Sequence, residues 1–106
     1  MSHQYWLKRV NLHNIKELSN YLIGEGFETA NSSSNKFANL FNPNSWKSEN
    51  LEVNVGPVDS PLVIQSWSEK SLKNDENCGL IKEIYNIMEA QDILDGGGNS
   101  VKKYFT

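Results

Sequence analysis

Leu51 to Val55 alternates without a break, with Leu51, Val53 and Val55 on one side and Glu52 and Asn54 on the other. A two-residue period marks a strand with one face on a core and the other in water. Leu62 to Ser68 is a second run of this kind. The segment between them, Gly56-Pro57-Val58-Asp59-Ser60-Pro61, is too long for a two-residue hairpin and suits a wider one. Leu62-Val63-Ile64 is apolar on both faces, so this strand belongs near the middle of a sheet, partly covered on both sides.

Helical spacing occurs on either side of these strands. Asn14 reads as an N-cap with Glu17 as the reciprocal acid of a capping box. Ile15, Leu18 and Leu22 follow, flanked by Tyr21 and Ile23, and Gly24 and Gly26 end the helix. A second helix begins at Cys78. Leu80, Ile84 and Ile87 form its buried stripe, with Ile81 and Met88 beside it and Lys82, Asn86 and Glu89 opposite. Continued past Ala90, the helix would bring Gln91 into the stripe and Ile93 onto the polar face, so it stops or kinks there.

Tyr5 to Val10 predicts a first strand and Phe27 to Asn31 a short second one. Lys36 to Phe41 fits either period and is taken as strand, and Asn42 to Ser45 is a turn. Gly96-Gly97-Gly98-Asn99 reads as a flexible connector, followed at Val101 to Phe105 by an edge strand or a frayed tail. Strands grouped between two helices predict an α+β fold: a two-layer sandwich, mainly antiparallel, with both helices packed on one face of the sheet. The 106 residues support one domain, 1–106, of which 96–106 is the glycine-rich connector and edge strand.

The chain has a single cysteine, Cys78, so no internal disulfide can form. No apolar run follows Met1, and none approaches the length of a membrane span. The expected location is the cytoplasm, with no membrane partner. Net charge is −3, and the ten basic residues are scattered, which argues against direct contact with nucleic acid. The acids are uneven. Glu69 to Asp95 holds seven acids against three lysines, whereas Met1 to Asn50 holds four acids against five bases. Such a bias favours a basic partner.

No catalytic pattern emerges. His3 falls at an expected disordered terminus and His13 just before a helix, and neither has a partner in the sequence for proton transfer. Cys78 starts a helix, where the dipole favours a thiolate, but no base lies near it in sequence; it reads as a small packing residue. Glu89, Asp92 and Asp95 would fan around a helix rather than converge on a metal. The three glycines at 96–98 follow a helix, the wrong order for a phosphate loop. The expectation is no enzyme, no cofactor and no metal. Trp6 and Trp67 lie on strands and read as core, whereas Trp46 stands in a polar stretch, where it either pins a loop or anchors a partner.

In size, charge and general character the whole chain resembles bacterial immunity proteins, including those of contact-dependent growth inhibition systems. The resemblance implies a cytoplasmic protein that binds a cognate basic toxin domain, an RNase or DNase, and blocks its active site by occlusion. Asp75, Glu76, Glu83 and Glu89 are the acids expected to meet that toxin, with Trp46 as anchor. The element order also fits a ferredoxin-like regulatory module that binds a small ligand or dimerises through its sheet. A third reading is a small RNA-processing enzyme using His13.

Overall fold

In the computed structural model the two alternating runs are neighbouring strands. The structure describes residues 3–30, 45–56, 62–67 and 76–104. The strand expected over 36–41, the loop at 57–61 and Asp75 lie outside them. The elements are β1 (His3–Lys8), a 3-10 turn (Leu12–Asn14), α1 (Ile15–Gly24), β2 (Glu28–Ala30), β3 (Ser45–Lys47), β4 (Leu51–Asn54), β5 (Leu62–Ser66), α2 (Cys78–Ile87), β6 (Asp92–Leu94) and a closing 3-10 turn (Lys102–Tyr104).

The strands form one sheet in the order β2-β3-β4-β5-β1-β6, and every neighbouring pair is antiparallel. As expected, β5 is an interior strand. Two consequences follow from the order. The strands joined by α1, β1 and β2, run in the same direction with three strands between them. Those joined by α2, β5 and β6, also run in the same direction, with β1 between them. The chain is thus two interleaved split β-α-β units joined by a meander.

One face of the sheet is apolar. Tyr5, Leu7, Trp46, Leu51, Val53, Leu62, Ile64 and Ile93 are all buried there, together with Leu18 and Leu22 of α1 and Ile81, Ile84 and Met88 of α2. The helices therefore share this face, and the fold is the two-layer α+β sandwich read from the pattern. Two bonds fix the helix layer. Trp46 Nε1 donates to Ser19 Oγ at 3.2 Å, seating α1 over β3. Asn14 Nδ2 donates to the Ile87 carbonyl at 2.8 Å, so the start of α1 meets the end of α2 and the helices run antiparallel.

Both helices end in a Schellman turn. After α1, the Gly26 and Phe27 amides donate to the Ile23 and Leu22 carbonyls, each at 3.0 Å, and the 90° φ of Gly26 suits glycine. After α2, the Glu89 and Ala90 amides donate to the Asn86 and Tyr85 carbonyls, but the left-handed position is Glu89, at φ 50°. The helix does stop short of Ala90.

Several expectations need correction. His3 is not in a frayed terminus: it begins β1 opposite Ser66, and its Nε2 is buried without a hydrogen-bond partner. At the other end, β1 stops before Val10, because Arg9 turns the chain with a φ of 55°. Asn14 makes no capping bond, its amide being spent on the end of α2; the capping bond is one turn earlier, where Asn11 caps the 3-10 turn by accepting from the His13 amide at 3.1 Å. The stripe of α2 is Ile81, Ile84, Tyr85 and Met88, with Leu80 and Ile87 only half-buried, a rotation of the helix about its axis. Ser45 to Lys47 is a strand and not part of a turn and loop. Asp92 to Leu94 is likewise a strand, not a solvated helix end. Gly96 to Asn99 is a tight turn, since Asp95 Oδ1 accepts from the Gly97 and Asn99 amides at 2.9 Å each. Val101 is then buried, with a 3-10 turn after it in place of an edge strand or frayed tail.

Candidate protein-binding surface on the helix layer

The expected site residues fall in different places. Trp46 is fully buried, because β3 pairs with β4 in a register that sets Trp46 beside Val53, on the side facing the helices. An indole with no exposed surface offers a partner nothing, so Trp46 is a core residue and its assignment as anchor is withdrawn. The most exposed indole is Trp67, 41% accessible, on the opposite face of the sheet with the Lys47 ammonium 5.6 Å from its ring centre. Trp6 is half-buried on that same open face, opposite Val63 and Leu94. The expectation that Trp6 and Trp67 are core is thus reversed for Trp67 and half met for Trp6.

The acids separate into two groups. Glu83 is exposed on α2. There it meets a group the sequence did not single out. Burial first, then the carboxylates of Glu25 and Glu83, push the Tyr21 hydroxyl above its ordinary pKa. Negative charge from the end of α1 and from α2 is therefore felt at one hydroxyl on α1. Glu76 is exposed just before α2. Because the helices are antiparallel, that end of α2 lies towards the end of α1 that carries Glu25.

Glu89 sits at the other end of α2 and is already engaged. Its carboxylate accepts from Asn11 Nδ2 at 2.7 Å and Asn14 Nδ2 at 3.1 Å. The surrounding backbone forms a clasp between two loops: the Asn11 amide donates to the Met88 carbonyl at 2.7 Å, and the Gln91 amide to the Lys8 carbonyl at 3.0 Å. Arg9 reaches across to Gln91, with Nη1 3.4 Å from Oε1. Glu89 thus holds the chain together locally, whereas Glu83 and Glu25 face outward.

The remaining chemistry-bearing residues do not converge. His3 and His13 lie at and beyond opposite ends of β1. Cys78 is half-buried against the core. Among the described residues no group of three or more His, Cys, Asp or Glu side chains is placed to hold a metal ion. Among them, too, no helix is long and apolar enough to cross a membrane. Glu25 was legible only in part: its spacing of four from Tyr21 puts the two on one helix face, but their meeting with Glu83 depends on how the helices pack. Compared with protein-family models, with curated proteins and with solved structures, the chain matches none.

Proposed function

We propose that this chain is an immunity-type inhibitor that acts in the cytoplasm, laying its helix layer over the basic active cleft of a cognate toxin nuclease. The observation that carries this reading is that the charges of Glu25, just after α1, and Glu83, on α2, both act on the Tyr21 hydroxyl, behind the larger effect of burial. Glu76, exposed at the neighbouring end of α2, extends the same negative field. An acidic surface of this kind steers a basic partner and sets its orientation. The chain works by covering the cleft and carries out no bond-making step. Glu89 drops out of the contact set, because its carboxylate is spent within the fold.

The test is affinity capture on the immobilised chain, followed by identification of what is retained. The reading requires a basic toxin domain whose retention falls with salt and falls again when Glu25→Gln and Glu83→Gln are combined. Retention of that toxin with no response to salt or to the two substitutions would place the contact elsewhere. A second reading, a ferredoxin-like ligand-binding module, is favoured by the interleaved split β-α-β order. It predicts a ligand-dependent rise in melting temperature with small molecules alone, which the inhibitor reading does not.

A further inference from the structure

At the β1 side the sheet ends with β6. An outermost strand offers its unpaired N–H and C=O groups to any strand that comes alongside, so exposed edges are sites of association. On β6 these groups are occupied from within the chain. The Ile93 amide donates to the Asp92 carboxylate, Oδ1, at 2.8 Å. The Ile93 carbonyl accepts from the Val101 amide at 2.9 Å, and the Asp95 amide donates to the Asn99 carbonyl at 2.9 Å. Leu94 and Ser100 form a bridge beside them.

The cover on this edge is built by the turn at 95–99. Asp95 Oδ1 gathers the Gly97 and Asn99 amides, and Gly98 takes a φ of 82°, open to glycine without strain. The turn returns Ser100 and Val101 to the edge. Asp92 then ties the cover down: the oxygen that accepts from Ile93 also accepts from Ser100 Oγ at 2.7 Å. One carboxylate thus satisfies the strand's outward amide and anchors the segment that hides it.

We propose that residues 95–101 are a releasable guard on the β6 edge, latched by Asp92, and that two copies of this chain pair through β6 when the guard lifts. A second copy fits this edge for a geometric reason. About a two-fold axis at Ile93, antiparallel pairing gives the amide and carbonyl of each Ile93 to the carbonyl and amide of the other. Asp92 then lies opposite Leu94 of the second copy, so no two carboxylates meet directly. The sheet continues across the axis with Ile93 on the buried side in both copies.

The latch responds to pH. The Ser100 hydroxyl is the largest influence on Asp92 and lowers its pKa; burial, next in size, opposes it, and the Ile93 amide and the Lys102 and Lys8 ammonium groups add to the lowering, so the net shift is downward. Lys8 is its cross-strand partner on β1, and Lys102 follows directly after the guard. A carboxylate whose folded pKa is depressed contributes stability above its unfolded pKa, and that stability is lost as pH falls through the folded value. The guard is therefore held at neutral pH and loosened in acid.

The experiment compares the full-length chain with Asp92→Asn, Ser100→Ala and the double variant Ser100→Ala/Leu94→Asp. Sedimentation velocity reads mass, and hydrogen exchange reads the Asn99 and Val101 amides. Asp92→Asn and Ser100→Ala are expected to exchange Val101 faster and to sediment at twice the monomer mass at concentrations where the parent chain is monomeric. In the double variant, a carboxylate at position 94 faces Asp92 of the other copy, and the dimer should be lost although the guard stays open. Fast exchange without a change in mass overturns the pairing, and an unchanged Val101 amide in Asp92→Asn overturns the latch. A dimer that survives Leu94→Asp assigns association to another edge and also refutes the proposal.

Discussion

Glu89 offers the sharpest test of how the helix layer is held, because one residue carries two separable effects. Its backbone is left-handed at φ 50°, and its carboxylate binds Asn11 and Asn14. Glu89→Ala and Glu89→Gly lose the same two side-chain bonds, so their difference isolates the backbone. A non-glycine residue in the left-handed region costs about 1–2 kcal/mol. Glycine avoids that cost but loses more freedom on folding, roughly 0.5–1 kcal/mol. The balance leaves Glu89→Gly more stable than Glu89→Ala by about 0.5–1 kcal/mol, or about 2–8 °C in melting temperature for a domain of this size. Urea unfolding followed by tryptophan fluorescence measures the gap, with equal m-values required for the comparison. An alanine variant as stable as the glycine variant, or more so, would falsify the account of the α2 terminus. Glu89→Gln adds an arm on function: the fold should weaken while capture of a basic partner is unchanged.

The other predictions bear on the core, the network beneath it and the acidic surface. Trp46→Ala should cost about 3–5 kcal/mol, since a buried indole leaves a cavity, whereas Trp67→Ala should cost less than about 1 kcal/mol; thermal melts compare them directly, and similar losses would show that the two faces are misassigned. Asn77, buried, donates to the Asn50 carbonyl and Ser66 Oγ, both at 3.2 Å. Asn77→Ala should therefore destabilise by roughly 1–3 kcal/mol in urea, and a neutral result would mean that those acceptors find other donors. The raised pKa of Tyr21 gives a pH signature. In the unfolded chain the hydroxyl ionises first, so stability is fully present below the ordinary tyrosine pKa and falls as pH rises through the higher folded value.

The parts of the fold legible in the sequence are those long enough to show a period. β4 and β5 carry full alternations and appear in the expected register face. β3 and β6 have three residues each, which hold only one alternation, and local pattern cannot separate that from a loop or a helix end. Their pairing comes from neighbours distant in sequence. The assignment of the tryptophans follows from the same limit. Once Ser45 to Lys47 is a strand, Trp46 must point inward beside Val53. Trp67 shares parity with Gln65, a polar position, and Trp6 with Lys8, so an outward placement was readable from alternation alone. On α2 the apolar arc running from Leu80 through Met88 is wide enough for two stripes, and contact with α1 and the sheet decides between them.

The candidate surface was legible in kind but not in membership, and the reason is physical. A count of acids along 69–95 points to α2, but it treats Glu83 and Glu89 alike. Helix geometry separates them: Glu89 follows the helix end, where left-handed backbone and the side-chain amides of Asn11 and Asn14 claim it, while Glu83 stays exposed with its charge acting on Tyr21. This distinction can be tested without any partner. Removing either Glu25 or Glu83 as a charge should bring the tyrosinate titration of Tyr21 towards its ordinary value. Neither should restore it fully, because burial is the larger cause. Glu89→Gln should leave that titration where it is. If Glu25→Gln and Glu83→Gln both leave Tyr21 unmoved, the two helices do not bring their acids together, and the surface proposed for a basic partner loses its basis whether or not such a partner is found.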